Sequence, residues 1–471
     1  MLWIAFQKFG TMIISFSANI VLARVLMPSD FGTLGILMSF IAFSEIFIDG
    51  GLTSSLIQKG KPTNEDFSSV FFFNIVISVA FYILIYALAP SISDFFGNRD
   101  LTNSLRVIGI ILIINALSII QLTKLQIQLN FKDISLYNML GNILGVAIGI
   151  FLALMGWGIW SLVYKTIVTQ LSIAAILWHK SNWKPNIHFS FRNILSLYKF
   201  GGYIFISTFI EYLYTYLQPI LIGKFFSMSE LGYFSQARKV EEIPTNSLVS
   251  VTNTVTFPIY SQLSNDIDKM VENARKTLKY LSFFSFPLMT FLIISSENVI
   301  LLLFGEKWLD AYPLLQILCI AGMFRIPSGS NMNLIKSIGK SKSFMYIQIL
   351  KRILGILCIF IGFHWGIIGL MWGFAFAGVS FFFVDSFVCG HYIQYGVKKQ
   401  IMDMLGSLLI SFVTGAIVYI LGMFMEDFHY ILNLIVKLIL FLVGYLVISK
   451  YFNSFSYSYY QEKVKSFIRK R

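Results

Sequence analysis

Charge is what this chain lacks. Asp, Glu, Lys and Arg make up 13% of its 471 residues, where a soluble domain carries about 25%. Hydrophobic residues make up 56%. That leaves too little polar surface to coat a water-soluble globule of this length, so the surrounding solvent must be largely lipid. Cysteine is scarce as well. Cys319, Cys358 and Cys389 lie inside apolar runs with no CxxC spacing, and read as small buried hydrophobes instead of a disulfide or metal set. His179, His188, His364, His391 and His429 are scattered near span ends without ligand spacing, so neither a metal nor a cofactor is expected. No GxSxG, P-loop, HExxH or glycine-rich nucleotide turn occurs. Every connection is short, which leaves no extramembrane domain for a soluble active site. No enzyme is expected. The formal charge is +13, yet no basic patch is interleaved with stacking aromatics, so nucleic acid is not an expected partner.

What the chain has instead is long apolar runs. Segments near the length needed to cross a bilayer (about 20 residues) fall at 4–26, 33–57, 67–90, 103–122, 136–155, 158–179, 198–223, 233–260, 280–303, 312–335, 344–363, 366–390, 404–424 and 430–449. The expected fold is an all-α polytopic membrane protein of about 14 transmembrane helices. Its 47 Phe and 23 Tyr suit a lipid-facing surface and interfacial belts. The first run lacks a basic leader and an A-x-A site, so it is expected to be a mature span and not a signal peptide. Basic residues set the orientation. Even-numbered connections and the C-terminal tail hold 23 Lys and Arg, against five (Arg24, Arg99, Arg106, Lys224, Lys307) at the odd connections and adjoining span ends. The positive-inside rule then puts both termini in the cytoplasm.

The chain also repeats itself. In "NIVLARVLMPSDFGTLG" (19–35) and "PILIGKFFSMSELGYFS" (219–235), Arg24 aligns with Lys224, Ser29 with Ser229, Asp30 with Glu230 and Gly32 with Gly232. "GWGIWSL" (156–162) returns as "HWGIIGL" (364–370), "DFFGNRD" (94–100) as "LLFGEKW" (302–308), and "KFG" (8–10) at 199–201. These ordered matches point to duplication of a six-helix unit: an N-lobe at 1–192, a C-lobe at 193–395, an appended helix pair at 396–450 and a basic cytoplasmic tail at 451–471. An even number of spans per unit makes the repeats parallel, and such lobes enclose a cavity that opens to each side in turn. Gly141, Gly145 and Gly149 in one half, and Gly369, Gly373 and Ala377 in the other, have small-xxx-small helix-packing spacing.

A charge inside the bilayer must face water or a partner. The eighth expected span, 233–260, is the most polar. Arg238, Glu242, Asn246, Asn253 and Thr256 share one face at helical spacing, with Lys239, Glu241, Thr245 and Thr252 beside them. A helix with that stripe is expected to line an aqueous cavity. The seventh span adds Ser207, Glu211, Thr215 and Gln218; the second adds Glu45 and Asp49 at i, i+4; the tenth adds Arg325, with no acid near it in sequence. Substrate-cavity candidates are therefore Arg24, Lys224, Arg238, Lys239, Asn246, Asn253 and Arg325. Candidates for ion coupling or internal pairing are Glu45, Asp49, Glu211, Glu241 and Glu242. Some have a structural alternative: Arg24 and Lys224 as interfacial anchors, and Arg238, Lys239, Glu241 and Glu242 as an internal ion-pair cluster. Lys351 and Arg352 are expected to snorkel, and Lys437 to be structural.

"LARVLMPSDFG" (22–32), "DGGLTSSLIQK" (49–59), "LIGKFFSMSELGYFSQA" (221–237), "TVTFPIYSQL" (254–263) and "LLLFGEKWLDAYPLLQILCIAGM" (301–323) carry a family resemblance. The chain resembles the polysaccharide transporters, Wzx-type flippases for lipid-linked oligosaccharides, over essentially its whole length, and among them the lipopolysaccharide or colanic-acid exporters. The resemblance implies a bacterial inner-membrane protein with a cavity lined mainly by helices 1, 2, 7 and 8. It implies an undecaprenyl-diphosphate-linked glycan as substrate, a proton or sodium ion as coupling partner, and a glycan polymerase and glycosyltransferases as neighbours. Family members often start with a short basic leader, so a shortened N-terminus is implied here. The nearest rival is a cation-coupled drug or metabolite antiporter of the same fold, with Asp49 or Glu211 as its essential carboxylate. A membrane-embedded glycan polymerase or transferase would need a larger loop bearing catalytic residues.

Overall fold

The computed structural model describes residues 2–425 and 429–452; the expected tail lies outside them beyond residue 452. Among the described residues every regular element is helical. In chain order they are α1 (Leu2–Val25), α2 (Pro28–Asp49), α3 (Leu52–Gln58), α4 (Asn64–Phe96), α5 (Asp100–Ile108), α6 (Ile110–Ile127), α7 (Phe131–Leu154), α8 (Ile159–Lys180), α9 (Phe191–Phe225), α10 (Met228–Gln262), α11 (Ile267–Ile294), α12 (Ser296–Leu303), a 3-10 turn (Glu306–Ala311), α13 (Tyr312–Ser337), α14 (Ser341–Phe363), α15 (Gly366–Ile393), α16 (Val397–Met423) and α17 (Tyr430–Tyr451). Each expected span meets one helix or a consecutive pair: α2–α3, α5–α6 and α11–α12 are the pairs. Eleven described segments are long and apolar enough to cross a membrane, and Met12–Val25 adds a shorter apolar helix. The 35-residue helices α9 and α10 are not among them, because polar residues interrupt their apolar surface.

The breaks have local causes. After α2 the chain turns through Gly50 and Gly51, both left-handed (φ 53° and 77°), a region that glycine enters without steric cost. The Asp49 carboxylate then accepts the N–H groups of Gly51 and Thr53, each at 3.2 Å, and so caps α3. The Gly51 backbone lies against Gly201 of α9, where a Cβ on either glycine would collide with the other's backbone.

The chain forms two compact units, residues 1–232 and 233–471. The packing boundary lies 40 residues beyond the lobe boundary expected at 192/193, and α9 packs on α2 and α3 of the first unit. In the first unit the duplicated turn proves to be a duplicated helix start. Asp30 accepts the Met27 N–H at 3.0 Å. Glu230 accepts the Ser227 N–H at 2.7 Å, while the Ser227 hydroxyl accepts the Glu230 N–H at 3.1 Å. Each acid fills the N3 position and accepts the N-cap N–H, and at Ser227 the hydroxyl completes a capping box. The glycines of the motif recur for a second reason. A Cβ on Gly32 would overlap the Met228 carbonyl, and one on Gly232 would overlap the Pro28 carbonyl. Met228 stands 200 residues after Pro28, so the contact is reciprocal, as across a local two-fold axis.

Glycine spacing also sets helix pairs. Gly141 and Gly145 of α7 admit α8: a Cβ on Gly145 would lie 2.6 Å from the Lys165 carbonyl oxygen. In the second unit Gly373 of α15 does the same against the Cys358 carbonyl of α14, at 2.5 Å. The appended helices belong to this unit. α16 packs on α11, where Arg275 binds Asp403 bidentately at 2.8 and 3.0 Å; α17 joins it through Tyr445, which donates to the Phe283 carbonyl at 3.0 Å. One expectation is corrected here. Lys351 does not snorkel: it is 7% exposed, and its ammonium pairs at 2.9 and 3.2 Å with the fully buried carboxylate of Asp385 on α15.

Candidate functional site

The polar stripe of α10 meets α13 along a seam in the second unit. Glu241 is buried. Its carboxylate accepts the Thr245 hydroxyl at 2.7 Å, one helical turn on, and faces the Arg325 guanidinium at 3.7 Å. The other terminal nitrogen of Arg325 donates to the Asn246 side-chain oxygen. Arg238 pairs with Glu242 at 2.8 Å, both partly exposed. Further along, Asn333 donates to Asn253 at 2.9 Å and to Thr256 at 2.8 Å, and Tyr260 meets Ser330 at 3.2 Å. A glycine makes room for the acid: a Cβ on Gly322 would sit 2.5 Å from a Glu241 carboxylate oxygen. So Arg325, which has no acid near it in sequence, finds one through the fold. Its side chain stays 43% exposed halfway along α13, and Asn246 and Asn253 are exposed as well.

The second candidate group lies in the first unit. Glu45 and Asp49 line a cavity of about 380 Å³ together with Asn115, Asn138 and Gln170. The Glu45 carboxylate accepts the Asn115 amide at 2.5 Å. Oxygen donors of this kind suit a proton or a hard cation. No cluster of three or more His, Cys, Asp or Glu able to hold a metal occurs among the described residues.

Arg24 and Lys239 are exposed on α1 and α10, and Glu211 on α9. Lys224 donates to the Phe95 carbonyl at 2.5 Å and lies 4.2 Å over the Phe95 ring. A cation at the C-terminal turn of α4 neutralises the helix dipole there, which fits the anchor reading. Sequence reasoning passed over Asn115, Asn138, Gln170 and Asn333, because neutral amides give no strong signal in a membrane helix. It also passed over two lone charges in apolar runs, Lys165 and Asp385, which the cost of intramembrane charge could have flagged.

An all-helical, multi-pass membrane protein with charged and amide-lined seams inside its helical units is the class that this fold and these sites define. Residues 21–313 match the family described as polysaccharide biosynthesis protein, and the chain belongs to that family. It is 26% identical to the teichuronic acid biosynthesis protein TuaB of Bacillus subtilis over 82% of this chain and 80% of that protein. It is 24% identical to the lipopolysaccharide biosynthesis protein WzxC of Escherichia coli over 84% and 83%. Among solved structures, the lipid II flippase MurJ in an inward closed conformation has the same fold, with a TM-score of 0.80 at 18% identity, covering 96% of this chain and 99% of that one. An inward-facing multidrug resistance transporter of the MATE family aligns at 0.62 and 14% identity, over 81% and 94%.

Proposed function

We propose that this protein is a flippase for a lipid-linked oligosaccharide. Its substrate is an undecaprenyl-diphosphate-linked repeat unit of O-antigen, capsule or exopolysaccharide. It moves that unit across the bacterial inner membrane by alternating access between lobes 1–192 and 193–395, with both termini in the cytoplasm. It is a transporter and not an enzyme. The similarity to TuaB and WzxC supports the substrate class.

One observation carries the reading: Arg325, exposed halfway along α13 and held by Glu241 and Asn246. An arginine at the centre of a span costs about 2.5–3.5 kcal/mol on insertion scales, and a use offsets that cost. A guanidinium has five N–H donors. Glu241 and Asn246 fix its plane, and the remaining donors can bind a diphosphate in charge-assisted pairs. Asn246 and Asn253 exchange hydrogen bonds with sugar hydroxyls, while Arg238, Lys239 and Arg24 add positive potential along the path. Glu45 and Asp49 take the coupling proton or sodium ion, with Glu211, Glu241 and Glu242 as further coupling or pairing acids. A polymerase and glycosyltransferases are the expected partners.

The test is complementation of a strain deleted for the gene. Arg325→Gln should cut surface glycan more than tenfold with unchanged membrane abundance, and Arg325→Lys should restore part of it. Undiminished glycan in Arg325→Gln rejects the role. Dye efflux that depends on Asp49, with glycan unaffected, would favour the antiporter instead.

A further inference from the structure

The first unit has a cavity that the transport reading leaves unused. It measures about 600 Å³ and opens where the α6–α7 and α8–α9 connections emerge, both even-numbered and basic. Three lysines converge on it from separate elements: Lys124 from the last turn of α6, Lys180 from the end of α8, and Lys184 from the loop that follows. None has a carboxylate within ion-pair distance among the described residues. Asp133 is the acid in the lining, and its carboxylate is already engaged by the Asn130 amide at 2.8 Å. Lys124 lies 5.2 and 5.7 Å from the ring centres of Phe67 and Trp183. The Trp183 indole N–H is buried there without a protein acceptor. Positive-inside lysines ordinarily point into open water and need no shared cavity. Here three of them face one hollow with an aromatic wall and a lining rich in side-chain amides such as Gln128 and Asn186.

We propose that this cavity binds a phosphate-bearing, hydroxyl-rich headgroup. Its volume is within the range of about 300–1,000 Å³ for small-ligand sites. Lysine ammonium groups compensate a phosphate, amides pair with hydroxyls, and Trp183 and Tyr137 offer aromatic surface. The headgroup is either that of an anionic membrane lipid entering sideways or a soluble sugar phosphate arriving from water.

The experiment uses the full-length protein in neutral detergent, with binding read by native mass spectrometry. One arm titrates phosphatidylglycerol, with phosphatidylcholine as reference; the other titrates glucose 1-phosphate. A juxtamembrane lysine near a surface anion contributes about 1 kcal/mol, so each of Lys124→Gln, Lys180→Gln and Lys184→Gln should weaken retention about fivefold, and the triple variant on the order of a hundredfold. A control triple, Lys342→Gln with Lys398→Gln and Lys399→Gln, removes equal charge elsewhere on the basic face and should retain wild-type binding. Binding in the lipid arm alone names a lipid headgroup, and binding in the soluble arm alone names a free phosphate; both support the site. If wild type binds neither probe, if the cavity triple binds like wild type, or if both triples lose binding equally, the proposal fails.

Discussion

Replacing Lys351 with Met tests the buried ion pair of the second unit. The Lys351 and Asp385 side chains are 9% and 0% exposed. The ammonium contacts both carboxylate oxygens, and Ser328 donates to one of them. Lys351→Met keeps most of the stem's volume but removes the cation, leaving the Asp385 carboxyl buried with Ser328 as its remaining partner. Removing one partner of a buried pair costs about 3–5 kcal/mol, whereas replacing both with neutral groups is often close to neutral. Lys351→Met should therefore unfold at a clearly lower temperature in detergent and lose monodispersity on size exclusion. Lys351→Met with Asp385→Asn should recover most of that loss, because the amide still accepts from Ser328. Thermal unfolding followed by intrinsic fluorescence reads both variants. Wild-type stability in Lys351→Met alone, or no recovery in the double variant, would refute a dry, mutually dependent pair.

Neighbouring glycines on α9 should behave oppositely. A Cβ on Gly201 meets the Ser55 hydroxyl at 2.7 Å and the Gly51 carbonyl at 2.8 Å, whereas one on Gly202 meets nothing within 4 Å. Gly201→Ala should lower the melting temperature, and Gly202→Ala should hold or raise it, since Ala gains up to about 1 kcal/mol over Gly inside a helix. Asp30→Ala and Glu230→Ala each remove one N-terminal capping bond and should each cost about 1 kcal/mol in denaturant unfolding. Gly322→Ala pushes the ends of two flexible side chains, the Glu241 carboxylate at 2.5 Å and the Met289 sulfur at 3.2 Å, so membrane abundance should stay unchanged while surface glycan falls. Unchanged glycan would detach Glu241 from the transport path.

Much of the architecture is legible in the sequence, because lipid enforces length and apolarity on each span. The fourteen expected spans each find a helix or a broken pair. The break at Gly50–Gly51 could be read from paired glycines, but the one at Ser295 has no such marker, since Ser295 carries ordinary negative φ. The duplicated turn was legible as a repeat, not as chemistry. Asp30 and Glu230 serve backbone N–H groups, and Asp49, read from the sequence as a coupling candidate, caps α3 as well as lining the Glu45 cavity. The partners of Arg325 and Lys351 were hidden for a different reason. Glu241 and Asp385 stand 84 and 34 residues away, and periodicity carries no information about which helices become neighbours. Neutral amides such as Asn115 and Asn333 stay silent until a packed helix gives them something to bond.

The pair between α14 and α15 also bears on how the chain enters the bilayer. α14 alone would present the insertion machinery with Lys351 beside Arg352, and α15 alone with Asp385, at about 2.5–3.5 kcal/mol for each central charge. The two helices are joined only by His364 and Trp365, so they can enter as a single hairpin with the Lys351 and Asp385 charges already paired. An interruption of synthesis between them would strand an ammonium in hydrocarbon. Biogenesis of this half of the molecule is thereby tied to the order in which its helices emerge.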